Sequence, residues 1–144
     1  MLSRHTILLV LSLLTAPCVT LAQSDEQSQM NIHLELNTLN DTDAACRLTF
    51  VATNGTNAMI DKAVFETVIF DSAGSVVTLS LFDFHELPSG RPRVRQFDVS
   101  GIACSSVGRV LINGANTCTA DGEQSTLCES GLSLSSRVAA ELLG

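Results

Sequence analysis

An all-β fold, one antiparallel β-sandwich of seven strands braced by two disulfides, is predicted by three features of the sequence: short β-type runs, the turn signals between them, and the cysteines. Helical periodicity is almost absent, and 144 residues leave room for one domain. The strand pattern is densest over residues 60–87, IDKAVFETVIFDSAGSVVTLSLFDFHEL, where two runs rich in Val, Ile, Phe and Leu flank the turn Asp71-Ser72-Ala73-Gly74. This hairpin is expected at the centre of the sheet.

Before the domain comes a leader. Residues 1–22, MLSRHTILLVLSLLTAPCVTLA, place Arg4 ahead of an apolar core at 7–19 and finish in small residues, the form of a secretory signal cut after Ala22. The apolar run is shorter than the roughly 20 residues a spanning helix needs, so no membrane span is expected after cleavage. Pro17 spoils a lipidation box at Cys18, which leaves with the signal. Residues 23–30, QSDEQSQM, are polar and aperiodic and read as a flexible lead-in, with the sandwich domain spanning 31–144.

Of five cysteines, removal of Cys18 leaves Cys46, Cys104, Cys118 and Cys128, an even set that reads as disulfides in an exported chain. Three connectivities are open; the favoured one joins Cys118 to Cys128 as a loop staple and Cys46 to Cys104 as a tie between two strands. A metal site is disfavoured because no Cys-x-x-Cys occurs and only His33 and His85 follow the leader.

The strands follow in order. Ile32, Leu34 and Leu36 alternate with His33, Glu35 and Asn37, which describes a half-buried strand with His33 on its wet face. The turn at residues 40–43 leads into CRLTFVATN, with Cys46, Leu48, Phe50 and Ala52 facing inward. After Asn54-Gly55-Thr56-Asn57, the first hairpin strand is apolar on both faces: Ala63, Phe65, Thr67 and Ile69 against Val64, Glu66, Val68 and Phe70. The second strand repeats this with Val77, Leu79 and Leu81 on one side and Phe82 and Phe84 on the other. A sandwich sheet has a single inner face, so one row must be covered by loops or the C-terminal tail, or else meet a partner through Val64, Val68 and Phe70.

Leu87-Pro88-Ser89-Gly90 turns the chain into a fifth strand, RPRVRQFDV. Arg91, Arg93 and Arg95 share a face with Phe97 and Val99, so the arginines overhang the core or a bulge resets the register. They read as charge protecting an edge strand, or as an anion-facing edge. A sixth strand at 107–113, a Cys-bounded loop at 116–129 and a last strand holding Leu132, Leu134 and Val138 complete the count.

Composition excludes more than it selects. The chain lacks Trp and Tyr and carries a net charge of −7, which removes base-stacking platforms and opposes phosphate binding, so no nucleic-acid partner is expected. No serine sits in a Gly-x-Ser-x-Gly turn, the cysteines are committed to disulfides, and no Gly-rich phosphate loop is present, so enzymatic activity and cofactors are not expected. Asp83-Phe84-His85-Glu86 is the candidate for a metal or small ligand, with Asp83 and His85 on one strand face and only His33 to add a second imidazole. The sequons at Asn40, Asn54 and Asn116 read as turn asparagines.

Ala52-Thr53-Asn54, then Ile69-Phe70-Asp71 with Gly74 and Val76-Val77, then Leu87-Pro88-Ser89-Gly90 and Phe97 resemble the pattern of FxLYD-type domains of bacterial exported proteins. The similarity covers about a third of the chain and rests on structural residues. It implies a small immunoglobulin-like or fibronectin-like sandwich and transfers no catalytic residue; the four cysteines and the tail depart from it. The expectation is a non-enzymatic interaction or structural module, periplasmic or secreted, contacting another envelope protein through Val64, Val68, Phe70 and the Arg91, Arg93, Arg95 edge. The alternative is a small-ligand or metal-binding protein using Asp83 and His85.

Overall fold

The computed structural model describes residues 30–144. The expected signal sequence and all of the lead-in except Met30 lie outside the described residues. Two sheets face each other. The first has the order β5-β2-β1-β8, from β1 (Ile32–Asp41), β2 (Ala45–Asn54), β5 (Arg93–Ser100) and β8 (Leu132–Ser136). The second runs β4-β3-β6-β7, from β3 (Ile60–Asp71), β4 (Val76–Leu87), β6 (Val107–Ala120) and β7 (Glu123–Gln124), with β9 (Glu141–Leu143) also beside β6. The one-turn helix α1 spans Leu127–Ser130, and a 3-10 turn spans Cys104–Ser106.

Among the described residues nine strands replace the seven read from the sequence, for identifiable reasons. β6 continues through Ala120 into the expected Cys-bounded loop, where Asp121 and Gly122 take φ of 50° and 82° and turn the chain back as β7. Asp-Gly is the dipeptide such tight turns require, so this hairpin carried a readable signal. The tail divides into β8 and β9, which pair in parallel with β1 and β6, while the other pairings are antiparallel. The hairpin expected at the centre is half there: β3 lies between β4 and β6, but β4 forms the margin of its sheet.

Alternation placed the core correctly. Ile32, Leu34, Leu36, Leu48, Phe50 and Ala52 from the first sheet and Ala63, Phe65 and Ile69 from the second have no exposed surface. Phe50 meets the rings of Phe84, Phe97 and Phe82 edge-on at 5.4, 5.9 and 6.1 Å, and Phe82 of β4 stacks on Phe97 of β5 at 4.1 Å. Each such aromatic pair adds about 0.5–1.5 kcal/mol beyond the area it buries. The stack fastens the margins of opposite sheets together.

The turns are closed by their own side chains. Asp71 Oδ1 accepts from the backbone N–H of Ala73 (2.9 Å) and Ser75 (2.8 Å), and Gly74 takes the positive φ of 87° that lets the hairpin reverse. Asn54 is wholly buried at the end of β2. Its Nδ2 donates to the carbonyls of Ala58 and Leu87, both at 2.8 Å, and its Oδ1 accepts from Thr56 N (2.9 Å) and Thr56 Oγ1 (2.6 Å). Ser89 Oγ donates to the Thr56 carbonyl. One amide thus ties β2, the loop after it and the end of β4, which agrees with reading this sequon as a turn asparagine.

The disulfides join the expected pairs, Cys46 with Cys104 and Cys118 with Cys128. Cys104 sits in the 3-10 turn rather than in a strand, so the longer bridge anchors β2 to the passage from β5 in one sheet to β6 in the other. Asp41 Oδ1 accepts from Cys104 N at 2.7 Å beside it. The sequence separations of 58 and 10 residues correspond, on loop entropy, to about 4 and 3 kcal/mol of stabilisation. Two such bridges indicate an oxidising, extracytoplasmic setting.

Candidate functional site

The outer face of the second sheet carries the apolar row that the doubly hydrophobic hairpin required. Direct pairing across β3 and β4 sets Val68 beside Leu79, Glu66 beside Leu81 and Val64 beside Asp83 on that face. The inner neighbours Phe82 and Phe84 are in the core. Among the described residues no loop or tail closes over the row: Val77 is 40% exposed and Leu79 and Leu81 54% each, and Val76 next to them is 62% exposed. The C-terminal strands lie along β1 and β6 instead.

The expected contact residues need correction. Val64 and Val68 are only 7% exposed, and Phe70 is half-buried with the Arg109 guanidinium 5.8 Å from its ring centre. β3 is flanked on both sides, so side chains of β4 and β6 fence in its outward residues, whereas β4 has a neighbour on one side only. Val64 and Val68 form the floor. Val76, Val77, Leu79 and Leu81 offer the accessible surface; alternation had grouped Val77, Leu79 and Leu81 as a row without showing which row would be open.

The arginine edge is also redrawn. Arg91 is exposed in the loop ahead of β5, outside the strand. Arg93 and Arg95 do share the inward face with Phe97, and they overhang the core as one of the two sequence readings required. Arg95 Nε donates to the Phe84 carbonyl at 2.6 Å and Nη2 to the Glu86 carbonyl at 3.2 Å, while Arg93 and Arg95 approach the Glu86 carboxylate at 3.8 and 3.6 Å. The Glu86 carboxyl is held below its usual range by its own backbone N–H, with Arg95, Arg93 and His85 adding to the effect. Arg93 and Arg95 thus close the seam between β5 and the second half of β4 and are engaged within the chain, while Arg91 stays exposed.

Asp83 and His85 come together as their spacing suggested. His85 takes a left-handed φ of 56° at a bulge, its N–H donates to Asp83 Oδ1 at 2.8 Å, and its Nδ1 lies 3.6 Å from the same oxygen. Lys62 Nζ stands 3.9 Å from Asp83 Oδ2, so a cation already faces that carboxylate. His33 belongs to the other sheet and cannot add an imidazole. Among the described residues no three metal-ligating side chains cluster.

Two features escaped the sequence reading. His33 does face outward, but it is bracketed by Ser133 Oγ at Nδ1 (2.8 Å) and Ser135 Oγ at Nε2 (3.0 Å), because β8 lies parallel to β1 in register. No local pattern links residues a hundred positions apart. At the opposite margin from β4, clefts of about 240 and 420 Å³ open beside Glu129, Leu132 and Gly144. Their linings mix leucines with the Glu129 side chain, joined in the smaller by Asn113, and this is too sparse a polar set to orient a ligand.

Comparison of the chain with protein-family models, curated proteins and solved structures finds no match. Among the described residues no helix is long and apolar enough to cross a membrane.

Proposed function

We propose that this chain is a non-enzymatic module of the bacterial envelope, exported to the periplasm or secreted, that works by binding another protein through the outer row of β4. The observation that carries the reading is the contiguous exposure of Val76, Val77, Leu79 and Leu81 on one strand, over the buried floor of Val64 and Val68. Exposed apolar residues gathered in this way mark contact surfaces more often than isolated ones do. The signal-like leader, the disulfides and the resemblance to FxLYD-type domains support the envelope setting.

The test is a cross-linked pull-down from periplasmic extract, comparing wild type with Leu79→Glu and Leu81→Glu. Specific partners should be lost with both variants; equal recovery rejects this surface. The second reading, a small ligand or metal held by Asp83 and His85, has in its favour the 3.6 Å approach of the two side chains. Calorimetric titration with zinc and copper decides it, and heat no greater than that of buffer ends it.

A further inference from the structure

Sheet margins expose unpaired backbone groups, and chains protect them by shortness, charge or cover. Three margins of this sandwich are protected so. β7, β8 and β9 have 2, 5 and 3 residues. β5 carries Arg93 and Arg95 along its inner face, and Asp98 on its outer face is bound by Arg47. The second half of β4 is sealed by Arg95 on the carbonyls of Phe84 and Glu86.

Among the described residues, none of these devices protects the first half of β4. Residues 76–82, VVTLSLF, contain no charge and no proline, β3 is their one strand neighbour, and four of the seven are exposed apolar side chains. At about 3.4 Å per residue this is an open edge roughly 24 Å long.

We infer that this edge pairs antiparallel with the same edge of a second copy of the chain, joining two β4 strands about a two-fold axis through Leu79. The inference rests on the proposed contact role of β4 and names its partner. In that register Leu79 opposes Leu79 of the other copy, and Leu81 opposes Val77, so the exposed row is apolar against apolar along its length. Thr78 opposes Ser80 on the other face of the paired strands. Charge opposes a self-contact along the second half of β4, which carries Asp83 and Glu86, but not along the first half. Copies of a chain with net charge −7 repel each other, yet residues 72–82 carry no charge. The carboxylate that follows, Asp83, faces Ser75 of the other copy rather than a second acid. A closed two-fold contact of this kind leaves no edge for further addition. Its small area puts it in the weak, reversible class, below about 1,200 Å² in total.

The experiment has two arms on the oxidised, purified protein. Sedimentation velocity over a concentration series should show wild type rising from monomer toward twice the monomer mass, with Leu81→Lys weakened at least about tenfold and its melting temperature unchanged. Leu79→Cys should form a covalent dimer under mild oxidant, because directly opposed residues of antiparallel strands lie within disulfide reach. Val94→Cys, exposed on β5, should not. Wild type that stays monomeric throughout, or equal cross-linking at positions 79 and 94, overturns the inference. A monomeric wild type whose extract partners are still lost with Leu79→Glu would remove the second copy while leaving the proposed surface standing.

Discussion

Replacing Asn54 by alanine removes a side chain with no exposed surface and four hydrogen bonds, two donated to the carbonyls of Ala58 and Leu87 and two accepted from Thr56. A net worth of about 1 kcal/mol per bond, and a larger penalty for each partner left buried and unsatisfied, sum to about 3–5 kcal/mol. Domains are commonly stable by only about 5–15 kcal/mol, so the variant should be severely weakened. With neither Trp nor Tyr in the chain, unfolding is best followed by far-ultraviolet circular dichroism in urea. At a denaturant slope of about 1.5 kcal/mol per molar, the midpoint should fall by roughly 2–3 M. Asn54→Asp should be no better, since it keeps the acceptor and turns a carboxylate toward two carbonyls. Asn40→Ala, exposed near the end of β1, should stay within about 0.5 kcal/mol of wild type. A loss below about 1 kcal/mol for Asn54→Ala would mean that this amide does not hold β2, its loop and β4 together, and the reasoning would fail.

Two further outcomes follow from the geometry. A Cβ at Gly108 would overlap the Asp71 carbonyl oxygen and lie 2.9 Å from its carbon and from Ser72 Cα, all backbone atoms that cannot swing aside. Gly108→Ala should therefore cost about 1–3 kcal/mol in the same urea assay, whereas a neutral result would show that β6 and the hairpin turn separate easily. On the outer face of the first sheet, Arg47 grips Asp98 through two bonds of 2.7 and 2.8 Å, and the guanidinium holds the Asp98 carboxyl below its usual range. A carboxyl depressed in the folded state stabilises above its unfolded pKa of about 3.9 and loses that contribution as pH falls through the folded value. The difference in melting temperature between wild type and Arg47→Gln should thus be flat near neutrality and close in acid; a difference that widens below about pH 4 contradicts the pairing.

The faces of the strands were legible because a period of two is a local property. Ile32, Leu34, Leu36, Phe50 and Phe65 are buried where alternation put them, and Phe82 and Phe84 separate from Leu79 and Leu81 as the pattern required. The disulfide pairs were also inferable, since an even set in an exported chain leaves few combinations and short spacing favours Cys118 with Cys128. The β6-β7 hairpin was readable from Asp121-Gly122 and was missed because its two cysteines suggested an irregular loop.

Strand order is the part that local patterns do not contain. Val68 and Leu79 look alike in sequence, both apolar on an outward row, yet Val68 is enclosed and Leu79 open because β3 has two neighbours and β4 has one. Arg93 and Arg95 look like a charged edge until the other sheet brings the Phe84 and Glu86 carbonyls within reach. The residues of one strand decide which way each side chain points. Whether that direction ends in solvent, in a neighbouring strand or in a salt bridge depends on pairings across tens of residues, which exist only once the sheets have closed.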